Sequence, residues 1–285
     1  MFGSTVLEVA IGLIACFCAV SLIVSSLNEA IASFVQLRGK YLLQGIQRLL
    51  NDPDVNHLAL SLYNHAQFNP LGNGQATSSK SLDHKPSYVS PSQFAQAMTD
   101  VLQTVANTPG DLNAAIQRIP NNQLRQAMTG MYQRASANIT QFETELANWF
   151  DSAMQRVSAR YKRTLQWWTV LFGFLVAMLF NIDTFHLFQV LWLHPTLAEN
   201  ITPENLANAH TALDQLSVTS LPIGWETAPF ELRDGVLYWQ YSASQLALMT
   251  MGWMVTALST LFGAPFWFDL LQKATNLRGI KGKAS

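Results

Sequence analysis

The densest grouping of side chains able to do chemistry is His57, His65 and His84, with Asp52, Asp54 and Asp83 close by in sequence. Imidazoles beside carboxylates can hold a metal or move a proton, but these spacings match no compact ligand pattern, and solvated loop histidines are the expectation. A membrane enzyme built on this loop would need a bound metal. Gly72-Asn73-Gly74 lacks the lysine of a phosphate loop and the spacing of a dinucleotide turn. There is no Gly-x-Ser-x-Gly elbow and no His-Glu-x-x-His pair. Cys16 and Cys18 stand two residues apart in an apolar run, on different faces of a helix, and make no disulfide framework. No catalytic, metal or cofactor residue is assigned, and the expectation is a protein that is not an enzyme.

A second chemistry, that of helix association, is better represented. Gly252, Thr256, Ser259 and Gly263 recur on one helix face, and Gly173 and Ala177 form a small pair. Such stripes let membrane helices approach closely, within one chain or between copies. Ser21, Ser25 and Asn28 make a polar line leading to Glu29. Packing accounts for this line, and a wetted pore lining is the competing reading. Arg156, Arg160 and Arg163 share a face, with Lys162 beside them. Topology explains this cluster, with anionic-lipid binding as the alternative. Glu29 is expected to pair with Arg160 or Arg163.

The elements that must position these residues are apolar helices. The chain has 285 residues, 49% hydrophobic and only 12% charged, roughly half the charge of a soluble domain, which points to a membrane. Three charge-free stretches reach the length of a bilayer crossing: residues 9–28, 165–182 (with helix running on as far as 192) and 246–268. Trp167 and Trp168 open the second, and Phe266, Trp267 and Phe268 close the third, as in aromatic belts. Glu8 and Glu29, about 31 Å apart along a helix, bracket the first crossing, while Arg163 and Asp183 bracket the second. Every charge then reaches an interface, which argues against a pump or secondary transporter.

Charge fixes the expected orientation. Of 17 basic residues, 12 fall between Arg38 and Arg163 and 4 between Lys273 and Lys283, whereas the loop 193–245 has Arg233 alone against six acids. Cytoplasmic segments retain Lys and Arg, so residues 29–164 and the tail 269–285 are expected inside, and residues 1–8 and the loop outside. The net charge of −1 thus hides a separation across a membrane and offers no basic field for nucleic acid. Ala30-Ile31-Ala32 resembles a signal cleavage site, but no Lys or Arg precedes the apolar run, so a retained anchor is expected.

Between the crossings, a basic amphipathic stretch with a break near Gly39 leads into a loop over residues 51–91. Ser90-Pro91 should start a helix carrying Phe94, Met98, Val101 and Val105, and short helices are expected over residues 112–119 and 123–137. Thr140 to Glu143 has the form of a capping box, opening a helix with Phe142, Leu146 and Trp149 that runs unbroken into the second crossing. In the outer loop, Thr202-Pro203 should start a helix with Leu206, Leu213 and Leu216, followed by an irregular apolar segment forming a small cap. Asn138-Ile-Thr140 and Asn200-Ile-Thr202 match a glycosylation sequon, short enough to arise by chance.

Several segments together resemble a family of bacterial inner-membrane proteins to which no activity is attached. They are Ser26-Leu27-Asn28-Glu29 with Arg38-Gly39-Lys40, Pro86-Ser87-Tyr88, Ala159 to Arg163, Asn181 to Thr184, and Gly263 to Leu271 (GAPFWFDLL) with Asn276-Leu277-Arg278-Gly279. The resemblance implies a bacterial inner membrane and transfers no site residues. In the C-terminal motif, Pro265 can open backbone carbonyls in the last turns of the third crossing, and Asp269 meets water beside Lys273 and Arg278, marking a membrane exit.

The expected fold is an all-α integral membrane protein: three transmembrane helices, a cytoplasmic helical domain and a small periplasmic cap. The expected role is a non-enzymatic anchor or scaffold acting through the cytoplasmic domain, its partners being the bilayer, anionic lipids, further copies of itself or other membrane proteins, and not nucleic acid. A homo-oligomeric channel or pore-forming effector is the alternative.

Overall fold

The computed structural model describes residues 2–107, 110–198, 201, 203, 223–225, 229–233 and 236–282. It is predominantly helical: α1 (Phe2–Phe34), α2 (Leu37–Leu49), α3 (Leu58–Tyr63), α4 (Pro91–Val105), α5 (Leu112–Gln117), α6 (Asn122–Arg134), α7 (Ile139–Leu179), α8 (Thr184–Leu193), α9 (Ala243–Ser259) and α10 (Ala264–Gly282). Among the described residues a single hairpin, β1 (Phe230–Arg233) with β2 (Val236–Trp239), pairs antiparallel with Phe230 opposite Trp239. It occupies part of the stretch expected to be irregular. The helix expected after Thr202 lies outside the described residues. The chain divides into two compact units, Ala32–Arg163 and Met1–Ile31 with Thr164–Ser285.

In the unit Ala32–Arg163 the apolar periodicity becomes a layered aromatic core. Phe94 of α4 stacks on Phe150 of α7 at 4.1 Å, and Phe68 and Tyr63 continue the series edge-on. All four rings are buried, each worth about 1.5–3 kcal/mol in apolar transfer. Ser90 and Gln93 close a reciprocal capping box that starts α4, with Pro91 in the first turn where no N–H is missed. The start of α7 differs from expectation: the Asn138 side chain, not Thr140, accepts the Gln141 N–H at 3.0 Å. The break after α1 also falls elsewhere. Gln36 takes the left-handed conformation (φ 50°), while Gly39 sits inside α2. A side chain at Gly39 would meet the Lys85 carbonyl at 2.7 Å, so glycine is needed there for close packing.

Residues 51–91 are mostly turns, but they are packed. Buried Asp52 accepts from the backbone N–H groups of Asn56, His57 and Ala59 at 3.0–3.1 Å, ordering the approach to α3. This carboxylate serves the backbone and not the neighbouring imidazoles.

The other unit is built on α1, whose buried face carries mainly small residues: Val9, Ala15, Cys16, Cys18, Ala19, Val20 and Val24. A Cβ on Gly12 would lie 2.6 Å from Leu191 of α8, so α1 and α8 touch closely. Two helices, Thr5–Phe34 and Ala243–Phe262, are long and apolar enough to cross a membrane. The pair α7 and α8 adds a third if the two count as one span, bent by 53°.

The single helix expected over residues 246–268 is not found. The α-helix stops at Ser259, a 3-10 turn spans Thr260–Phe262, and Gly263 (φ 79°) turns the chain into α10. Pro265 therefore lies in the first turn of a new helix, where it opens no carbonyl. Helix α10 runs back along α1. Trp267 packs against Phe17 at 5.0 Å, Leu271 and Ala274 are buried, and Arg278 reaches Glu8 at 3.2 Å. The ends expected on opposite faces of the membrane thus meet within one unit.

Candidate functional site

The functional geometry gathers where α7 gives way to α8. Helix α7 ends in a Schellman arrangement: Ile182 N–H bonds to the Ala177 carbonyl at 2.7 Å, Asn181 N–H bonds to the Met178 carbonyl at 3.2 Å, and Asn181 is left-handed (φ 47°). Ile182 and Ala177 are both buried in the same apolar core, at the two positions whose contact accompanies this motif. One residue later Asp183 caps α8, its Oδ1 accepting from the N–H groups of Phe185 at 2.9 Å and His186 at 3.4 Å. A stop and a start thus stand within three residues.

The polar groups released by the break are satisfied by neighbouring segments. Asn181 accepts from the Trp253 indole at 3.1 Å and donates to the Gly224 carbonyl at 3.0 Å. The Trp225 indole donates to the Leu179 carbonyl at 3.2 Å. Thr256, fully buried on α9, lies 2.8 Å from the Ile182 carbonyl and 3.1 Å from the Gly252 carbonyl. Either acceptor uses its only proton, so the Thr184 hydroxyl at 2.7 Å must donate to Thr256. Gly252 leaves room for Asp183: any Cβ there would overlap the Asp183 carboxylate.

Beside this cluster opens a cleft of about 760 Å³, lined by Asp183, His186, Trp225, Tyr241, Gln245 and Met249 among others. Trp225 stands 5.8 Å from both Tyr241 and Trp253. The cleft is lined by two ionisable residues, Asp183 and His186, together with aromatic rings. It can hold a small polar or cationic group by hydrogen bonds and ring contacts.

Gly173 faces α9, where a Cβ would lie 3.2 Å from Ala257 Cα and 3.0 Å from Thr260 Oγ1, and Ala177 is buried. Ser259 is buried, its hydroxyl on the Thr256 carbonyl, and its own carbonyl accepts from the Trp267 indole at 2.8 Å. Gly263 makes the reversal into α10. Ser21 is 1% exposed within the core, Ser25 is exposed, and Asn28 donates to Thr169 at 2.8 Å. The line Ser21, Ser25, Asn28 is thus not one continuous surface in the single chain. Glu29 is exposed and belongs to one unit; Arg156, Arg160, Lys162 and Arg163, all exposed, belong to the other.

His57, His65 and His84 do not converge. His65 faces Asp100 at 3.6 Å, His57 is exposed, and the His84 carbonyl accepts from Asn69. Among the described residues no three His, Cys, Asp or Glu side chains come together as metal ligands. Asp183, expected at an interface, is instead a buried cap packed against α9. The signal was available: Asn at the close of one apolar run, followed by Asp-Thr at the opening of the next, is a C-cap and N-cap in succession.

These elements define a predominantly helical protein with two helices, or three counting the bent pair, of membrane-crossing length and composition. No family model, no curated protein and no solved structure matches the chain.

Proposed function

We propose that the protein is an integral protein of the bacterial inner membrane that anchors or scaffolds an assembly, with Ala32–Arg163 as its cytoplasmic interaction domain. The observation that carries this reading is the sorting of exposed apolar side chains. Trp167, Leu171, Leu175, Leu179, Phe188, Trp192, Leu248, Met251, Val255 and Leu258 are exposed on the span-bearing unit, as a lipid-facing belt requires. Ala32–Arg163 encloses its own core and exposes Phe34, Leu71, Tyr88, Val105 and Ile139 among its large apolar residues. The burial of Ser21 supports a scaffold over a pore lined by Ser21, Ser25 and Asn28, since such a pore would have to open the core.

In this reading α1, the bent pair α7 and α8, and α9 cross or enter the bilayer, with Glu8 outside. Helix α10 returns towards the Glu8 side as the second arm of a hairpin. Arg278 then meets its counter-charge in Glu8 on that same side.

Two measurements test the proposal. Purification of the full-length protein from native membranes in mild detergent, with cross-linking and mass spectrometry, should return cross-links from Ala32–Arg163 to a second protein or a second copy. A solitary monomer without such cross-links overturns it, as does ion flux in liposomes that Ser25→Leu abolishes. A membrane-impermeant maleimide applied from outside should label Asn276→Cys; protection until the membrane is opened overturns the hairpin arrangement.

A further inference from the structure

Within Ala32–Arg163 a groove of about 590 Å³ lies between α2, the segment before α4 and the middle of α7. Its rim carries Arg38 and Lys162, and its walls include Tyr41, Tyr88, Tyr161 and Met154. Arg38 is held in place: its Nε donates to the Tyr161 hydroxyl at 3.3 Å, and its guanidinium carbon stands 5.9 Å over the Tyr161 ring. Tyr41 meets Tyr161 edge-on at 5.6 Å, which fixes the wall. The carboxylate in the lining, Asp151, accepts from Gln155 at 2.9 Å, and the lining carries two cations to this one anion. Tyr88 is 75% exposed at the mouth, a large apolar-bodied ring with a polar tip standing in solvent.

Where the groove lies along the chain matters as much as its charge. Arg38 follows the end of α1 by four residues, and Lys162 lies two residues before the chain passes into the other unit at Thr164. Both cations therefore lie in the few residues next to apolar helical stretches. A basic rim, tyrosines with hydroxyl tips and an apolar floor form the chemistry that recognises a phosphodiester attached to a hydrocarbon chain.

We propose that this groove binds the headgroup of an anionic phospholipid. The phosphodiester is held between Arg38 and Lys162, and the glycerol end lies against Tyr88 and Met154. The site gives the domain a lipid-specific contact, in addition to the general attraction of a basic surface for an acidic leaflet.

The test is native mass spectrometry of the full-length protein in detergent, titrated separately with phosphatidylglycerol, phosphatidylcholine and inorganic phosphate. The wild type should retain phosphatidylglycerol over phosphatidylcholine. Lys162→Gln should lower that retention about fivefold, as should Arg38→Gln, the effect of one cation at a lipid surface. Tyr88→Ala, which keeps both charges and alters an exposed ring, should also lower it, whereas Arg156→Gln, exposed outside the groove on the same helix, should not. Equal retention of the two lipids overturns the proposal, as does an Arg156→Gln loss matching that of Lys162→Gln. Displacement of phosphatidylglycerol by millimolar inorganic phosphate would assign the groove to a free anion and overturn the lipid assignment.

Discussion

The carboxylate of Asp183 occupies the space that Gly252 leaves by having no side chain, and this contact brings the α7–α8 break against α9. Helix propensity favours alanine over glycine by about 1 kcal/mol, so Gly252→Ala would stabilise an isolated α9. In the folded protein the added methyl must displace Asp183 from its capping position, costing about 1–3 kcal/mol. Thermal unfolding in detergent should show a lowered midpoint for Gly252→Ala. Gly130→Ala on α6, whose nearest neighbour would be the flexible Arg134 guanidinium at 3.4 Å, should be neutral or stabilising. An unchanged midpoint for Gly252→Ala would mean that the contact relaxes freely.

Arg278 makes three bonds at once, to Glu8 at 3.2 Å and to the carbonyls of Ala198 at 3.1 Å and Ile201 at 2.9 Å. The Glu8 side chain is 12% exposed and that of Arg278 25%, so neither is easily rehydrated when its partner is lost. Arg278→Gln should cost about 3 kcal/mol, and Glu8→Gln less, because Arg278 keeps both carbonyls. A double-mutant cycle should be non-additive; full additivity would show that the pair contributes nothing.

Glu143 on α7 has its carboxyl raised above the ordinary value of 4.5, by burial first and by the Asp100 charge second. The native state therefore holds this proton more tightly than the unfolded chain does. The cost of ionising it is absent below the unfolded value and grows as pH rises through the folded one. Glu143→Gln should match the wild type below about pH 4.5 and melt higher at neutral pH, and Asp100→Asn should narrow the gap. An advantage of Glu143→Gln that is largest in acid would contradict the assignment.

Cys16 and Cys18 are both fully buried on α1. A membrane-permeant thiol reagent should leave both unmodified in the native protein and react only as the span-bearing unit opens. Rapid labelling at room temperature would mean that α1 is not packed as described.

Local signals were legible in the sequence where one short segment carries the whole cause. Ser90, Pro91 and Gln93 form their cap from neighbours alone, and the unbroken entry of α7 into the apolar stretch follows from a run without Gly or Pro before Gly173. The Asn181 and Asp183 pair was equally local, yet reading residues 165–182 as one crossing placed Asp183 at its edge and hid the bend. The reversal at Gly263 escaped for a different reason: apolar composition continues from α9 through Phe266, Trp267 and Phe268, and composition has no direction. The small-residue stripe indicated close packing on α9, but only the three-dimensional arrangement shows that Gly252 makes room for a carboxylate while Gly173 faces Ala257. The tyrosine-lined groove joins residues more than a hundred positions apart, so no window of sequence contains it.

The bond between Glu8 and Arg278 also has a history in time. The two residues are separated by 270 positions. At a synthesis rate of about 5–20 residues per second, Glu8 waits on the order of 10 to 50 s for its counter-charge. During that interval α1 is already made, and the groove that α10 will fill, beside Phe17 and Glu8, stands open. Maturation of the span-bearing unit is therefore a late event of biosynthesis, complete only when α10 closes over α1.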